Sequence, residues 1–116
     1  MSLAKKLQLK PGQKVLVVNA PRGFSLEALT TTTRSADAVL VFVKNKAELD
    51  KRAAPAVEAA RQDRLSWIAY PKAGRLSTDL NRDILWKLLE AKGVKPVRQV
   101  AIDDTWSALR FRPGRP

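Results

Sequence analysis

The side chains able to do chemistry in this sequence form a restricted set. Of its 116 residues none is histidine and none is cysteine. A Ser-His-Asp triad, an imidazole base, a thiolate nucleophile and a Cys- or His-ligated metal therefore cannot be built from it. Acid–base chemistry would fall to Asp, Glu, Lys or Tyr with a perturbed pKa. The polar candidates sit in short stretches: Asn19, Arg22 and Gly23; Lys44; Tyr70 and Lys72, then Thr78, Asp79 and Arg82; and Asp103, Asp104 and Trp106. Lys72, beside Tyr70 and ahead of a predicted helix start, has the charge to complete an anion pocket. Thr78 and Asp79 also suit a helix cap and a first-turn charge. Asp103-Asp104 offers a hard cation too few oxygens alone and reads more naturally as a turn. Arg82 and Trp86 lie one helical turn apart, a spacing for a structural cation–π contact. No residue is assigned a catalytic or metal-binding role.

Two phosphate- and nucleotide-binding signatures are missing. No G-x-x-x-x-G-K-[ST] occurs, which excludes a P-loop. A nucleoside or dinucleotide cofactor needs a glycine-rich turn after the first strand, because side chains block its approach. Here that turn is Asn19-Ala20-Pro21-Arg22-Gly23, with one glycine and a proline. The acid that would hold ribose hydroxyls, roughly 20 residues on, should fall in residues 30–36. Those read Thr-Thr-Thr-Thr-Arg-Ser-Ala. No cofactor is expected.

These groups must be positioned by elements that hydrophobic periodicity marks out. Residues 2–8 read as a short helix with Leu3 and Leu7 on one face. Pro11-Gly12 turns the chain into an apolar strand over residues 14–19. Ser25 is placed to cap a short helix through Leu29, and the β-branched run 30–33 suits a short edge strand. Residues 38–43 are a second buried strand. Residues 46–62 are helical, with Leu49, Ala53, Ala56, Val57 and Ala60 on one side and a break near Ala54, since Pro55 fits the start of a second helix. Residues 65–70 form a third strand, in which Trp67 belongs to the core, and 72–76 a loop. Ser77 or Thr78 caps a helix to about Ala91, with Leu80, Ile84, Leu85, Leu88 and Leu89 inward and Gly93 as its stop. Residues 94–103 and 106–112 are strands joined by a turn too short for a parallel crossover, so they pair antiparallel. The expected fold is α/β: one domain over residues 1–112, a mostly parallel sheet with helices on both faces, ending in an antiparallel strand pair. Residues 113–116 read as a flexible tail. Ligands of such sheets bind beyond the carboxyl ends of the parallel strands, and the candidates above are the residues delivered there.

The sequence carries 22 basic and 11 acidic side chains, a net charge of +11. That surplus favours polyanionic partners, but no run of five like charges occurs and few aromatics are interleaved. A basic surface that serves solubility fits the charge as well as a nucleic-acid site does. The longest apolar runs, 15–18 and 39–43, are far short of the ~20 residues that span a bilayer, and Pro11-Gly12 interrupts any signal-peptide core. No membrane partner and a cytoplasmic location are expected.

Several motifs together resemble a known family. Tyr70-Pro71-Lys72, then Thr78-Asp79-Leu80-Asn81-Arg82-Asp83, then Asp103-Asp104-Thr105-Trp106-Ser107-Ala108-Leu109-Arg110-Phe111, look like an uncharacterised family of small bacterial proteins classed as a domain of unknown function. Leu9-Lys10-Pro11-Gly12-Gln13-Lys14-Val15 through Asn19-Ala20-Pro21 is similar to the same family. The likeness covers nearly the whole chain; residues 30–36 are unusually polar for it, and 73–75 form a variable loop. More loosely, the chain resembles class I methyltransferases, whose fold also ends with a last strand inserted antiparallel beside its predecessor. That resemblance implies a shortened, Rossmann-related fold whose cofactor loop has lost its glycines. The leading expectation is a non-catalytic domain binding a small anion or partner segment through Arg22, Lys44, Lys72 and Arg82. A basic nucleic-acid-binding protein is the alternative from another class, and an S-adenosylmethionine-dependent methyltransferase is the third, disfavoured reading.

Overall fold

The computed structural model describes residues 2–72 and 74–114. Its centre is two strands buried along their whole length, β3 (Ala38–Phe42) and β4 (Leu65–Pro71). Continuous apolar runs are what a strand needs when both its faces are covered. With β1 (Lys14–Val18), the short edge strand β2 (Leu29–Thr31), β5 (Val94–Ala101) and β6 (Trp106–Pro113), they form a six-stranded sheet in the order β2-β1-β3-β4-β6-β5. The β1–β2, β1–β3 and β3–β4 pairings are parallel. β6 runs antiparallel to both of its neighbours, β4 and β5.

The helices follow from handedness. The chain steps from β1 outward to β2 but from β3 to β4 in the opposite direction across the sheet. Right-handed crossovers then place the two connections on opposite faces. The β3–β4 connection is α2 (Lys46–Arg52) and α3 (Ala54–Arg61), and β4 leads through α4 (Arg82–Glu90) to β5. Leu49, Ala53, Val57, Ala60, Leu85 and Leu89 bring these helices onto Leu16, Val39, Val41, Ile68, Leu109 and Phe111 of the sheet. The opposite face is covered by α1 (Leu3–Lys6) and by loops, through Leu7, Leu9, Phe24 and Leu26 on Val15, Leu40, Phe42, Trp67 and Trp106. Trp67 Nε1 donates to the Leu7 carbonyl at 2.9 Å, fastening the end of α1 to β4.

The break near Ala54 is present: α3 carries Pro55 in its first turn, where the missing N–H costs nothing. Other expectations are corrected. Residues 25–29 form no helix; the chain is irregular over 25–28 and enters β2 at Leu29, and Phe24, Leu26 and Ala28 turn their side chains into the second core instead. The helix expected from Ser77 or Thr78 begins only at Arg82, capped by Asn81, whose Oδ1 accepts from Ile84 N at 2.9 Å. Its late start has a backbone reason. Asn81 is extended, with φ −148° and ψ 179°, so no helix begun after Ser77 or Thr78 can run through it into α4. Leu88, expected inward, is 37% exposed. The strand after α4 ends at Ala101 rather than at Asp103. The final strand runs through Pro113, and Gly114 N donates to the Gly93 carbonyl at 2.9 Å, so these two residues are not a tail. Arg115 and Pro116, the rest of the expected tail, lie outside the described residues.

Candidate anion-binding site

A sheet whose strand order switches sides between β1 and β3 has its usual ligand crevice between the carboxyl ends of those two parallel strands. Here the protein fills that crevice itself. Asn19, held at a φ of 60°, donates from Nδ2 to the Phe42 carbonyl at 2.9 Å and to Glu48 Oε1 at 3.1 Å. The same Glu48 oxygen accepts from the Lys44 backbone N at 2.7 Å, while Glu48 N is held by Asn45 Oδ1. Asn19 and the Lys44 backbone are thus a latch joining β1, β3 and α2. Arg22 and Gly23 lie in an exposed turn closed by Phe24 N on the Pro21 carbonyl, with Gly23 at φ 84°. The Phe24 ring packs edge-on against Phe42, centroids 4.8 Å apart, beneath that turn.

The open site lies two strand intervals across the sheet, where parallel β4 meets antiparallel β6. A cavity of about 400 Å³ is lined there by Tyr70, Lys72, Asn81, Arg82, Asp83, Gln99 and Ser107. Register brings its floor together, since Tyr70 pairs directly with Ser107 across β4 and β6. Both side chains are buried. Gln99 Nε2 donates to the Tyr70 hydroxyl at 3.2 Å, so the phenolic proton remains a donor. Burial pushes the Tyr70 phenol above its ordinary range, with the Arg82 charge opposing. Lys72 is half-buried and fixed through its backbone N on the Thr105 carbonyl at 2.7 Å. Arg82, in the first turn of α4, meets Asp83 through Nε at 3.4 Å. The arrangement is a floor of hydroxyl groups under two cations at the start of a nine-residue helix, and its positive end adds to the same potential.

The structure therefore gathers Tyr70, Lys72 and Arg82 from the sequence-predicted residues, while Arg22 and Lys44 do not line this cavity. Thr78 and Asp79 do not cap α4. Thr78 Oγ1 accepts from Leu80 N, and Asp79 Oδ1 accepts from Lys46 N at 2.8 Å, tying the loop to the first turn of α2. Asp103 Oδ1 accepts from both Thr105 N and Trp106 N at 2.8 Å, the turn its position suggested, and Asp104 stands exposed beside it. Trp106 is core: its ring meets Phe42 at 5.1 Å, nearly perpendicular. No group of three or more acidic side chains placed to hold a metal occurs among the described residues. Trp86, the suggested partner of Arg82, is 41% exposed.

Asp83, Gln99 and Ser107 line the pocket without having been among the sequence candidates, and of these Gln99 and Ser107 lie far from the rest along the chain. Nothing local marks these two; only strand pairing puts them beside Tyr70. A larger cavity, about 460 Å³, runs along α2 and α3 away from the carboxyl edge, its charges self-paired in part by Arg34 and Glu58 at 3.1 Å. Among the described residues no helix is long and apolar enough to cross a membrane. Comparison with protein-family models, with curated proteins and with solved structures finds no match to this chain.

Proposed function

We propose that this protein binds a small oxyanion, of the size of phosphate, in the pocket between β4, β6 and the start of α4, as a binding domain rather than a catalyst. The observation that carries the reading is the convergence of Lys72 and Arg82 over the buried hydroxyls of Tyr70 and Ser107. Cations supply attraction at the mouth, and hydroxyl donors at depth complete the hydrogen bonds that a desolvated oxyanion requires. Asp83 engages Arg82 only through Nε and stands mostly in solvent, 75% exposed, where its charge is screened.

The strand order supports a place for this domain among shortened class I methyltransferase-like folds, because β6 enters antiparallel between β4 and β5. The likeness to the small bacterial family quoted above belongs to the same reading. The residues do not suit the nucleoside cofactor of such enzymes. Asn19 occupies the crevice, Phe24 lies under the turn, and β2 leads into Thr32 and Thr33 with no acid. Among the described residues no helix lies between β1 and β2 to aim its N-terminus at a ligand.

Calorimetry and thermal shift with inorganic phosphate test the proposal. Saturable heat and a melting temperature that climbs with phosphate concentration are expected. Lys72→Ala with Arg82→Gln should weaken binding by about tenfold or more, as for loss of charge-assisted hydrogen bonds worth about 1.5–3 kcal/mol. S-adenosylmethionine should give no shift in the same titration. An unchanged response in the double variant would refute the site.

A further inference from the structure

The charge surplus has a location. β5 and β6 pair so that Lys95 lies opposite Arg112 and Arg98 opposite Arg110. Alternation sets all four on the face shared by Ala108 and Val100, away from Leu109 and Phe111. The last turn of α1 adjoins them: Lys6 Nζ lies 3.5 Å from the Ala101 carbonyl, and Arg110 Nη1 donates to Gln8 Oε1 at 2.7 Å. One carboxylate answers this set among the described residues, Asp63, which Arg112 grips through Nε and Nη2 at 2.9 and 3.1 Å. Lys95 and Arg98 are exposed and form no ion pair among the described residues. Arg110 Nε is buried and has no hydrogen-bond partner. Burial, and next the Arg112 charge, lower the Arg110 pKa from its ordinary value; Asp63 opposes this and Arg98 adds to it. The cations thus repel one another on an open sheet surface.

We propose that this β5–β6 face, with the end of α1, docks the phosphate backbone of a nucleic acid without reading its bases. Arg110 and Arg112, two residues apart on one strand, repeat at about 6.8 Å, and their neighbours on β5 widen the row into a band. Such a band follows a chain of phosphodiesters. Among the described residues no exposed aromatic side chain stands among these cations to stack a base, Trp67 opposite Arg110 being buried, so affinity comes from charge and counterion release. A lipid surface fits less well: Val97, in the β5 bulge between Lys95 and Arg98, is the single exposed large hydrophobic beside these cations among the described residues, the others lying on β2, the 75–77 turn and α4. Asp103 and Asp104, exposed on the hairpin tip, bound the band at that end.

The test is fluorescence anisotropy with a labelled single-stranded RNA and a duplex DNA of equal length, across a salt series, with phosphatidylserine vesicles as a third arm. Binding at low salt is expected, with a log–log salt slope on duplex of about −3 to −4 for four contacting cations. Lys95→Glu with Arg98→Glu should weaken binding by about tenfold or more and reduce the slope by about 2. Lys51→Glu with Arg52→Glu, the same charge change on exposed α2, should weaken it far less. Unchanged far-UV circular dichroism and urea midpoints show that both variants are folded, whatever the response to phosphate at the Lys72–Arg82 pocket, and so separate this proposal from the previous one. Equal losses in the two variants, no oligonucleotide binding at low salt, or capture of vesicles but not oligonucleotides would each overturn it.

Discussion

At the scale of single residues, the informative group is Tyr70. It is the only tyrosine in the chain, so its phenolate absorbance can be followed without interference. Burial disfavours the charged form, and the nearby Arg82 only partly compensates. The native protein should therefore titrate above the ordinary tyrosine value, and the denatured protein at it. The sign for stability follows: the folded form keeps its proton longer, so stability is unaffected below the unfolded value and falls as pH rises through the higher folded one. An ordinary native titration would mean that Tyr70 is solvated and that the pocket floor is not closed. Asn19 shows the other side of residue-scale reading. Its place at the end of a strand suggested a ligand contact, whereas its amide completes the protein's own crevice. Residue type and position along the chain are identical in the two cases; only the carbonyl of Phe42 and the carboxylate of Glu48, brought close by β3 and α2, decide between them.

Among the elements, α4 matters most, because its first turn carries Arg82 into the site. Its N-terminus depends on Asn81, whose side chain accepts from Ile84 N. Asn81→Ala should cost about 1 kcal/mol of stability, measurable by urea unfolding with an unchanged slope, and should weaken phosphate binding together with it. No loss would mean that water serves the cap equally well. The elements also show what the sequence could and could not convey. β3, β4 and the division of α2 from α3 at Pro55 were legible because each follows from local pattern: continuous apolar runs, and a proline that has one comfortable place. The late start of α4 was not. Ser77, Thr78 and Asn81 are all good caps, and the extended backbone of Asn81 that settles the choice carries no signal in residue type. The missing helix after β1 was hidden for a related reason. Phe24, Leu26 and Ala28 alternate into a core that exists only once Phe42 and Trp106 are in place. Gln99 and Ser107 entered the site by register, which one sequence does not express.

Across the whole molecule, 22 basic groups meet 11 acidic ones, and the ion pairs described are mostly exposed and worth little individually. Self-repulsion of like charge then outweighs pairing. The melting temperature should rise by a few degrees between low and moderate sodium chloride, as screening relieves that repulsion. A fall would show that the paired carboxylates dominate. The sheet's two coverings differ as well. Three helices seal one face, whereas the other has the single turn of α1 and an irregular stretch over residues 24–28. Cooperative units with few backbone hydrogen bonds of their own open at lower free energy than the global transition. Deuterium should therefore enter the amides around β1 and β2 well before those of β3 and β4, and this frayed margin would offer a protease its earliest cut while the helix-clad half stays folded.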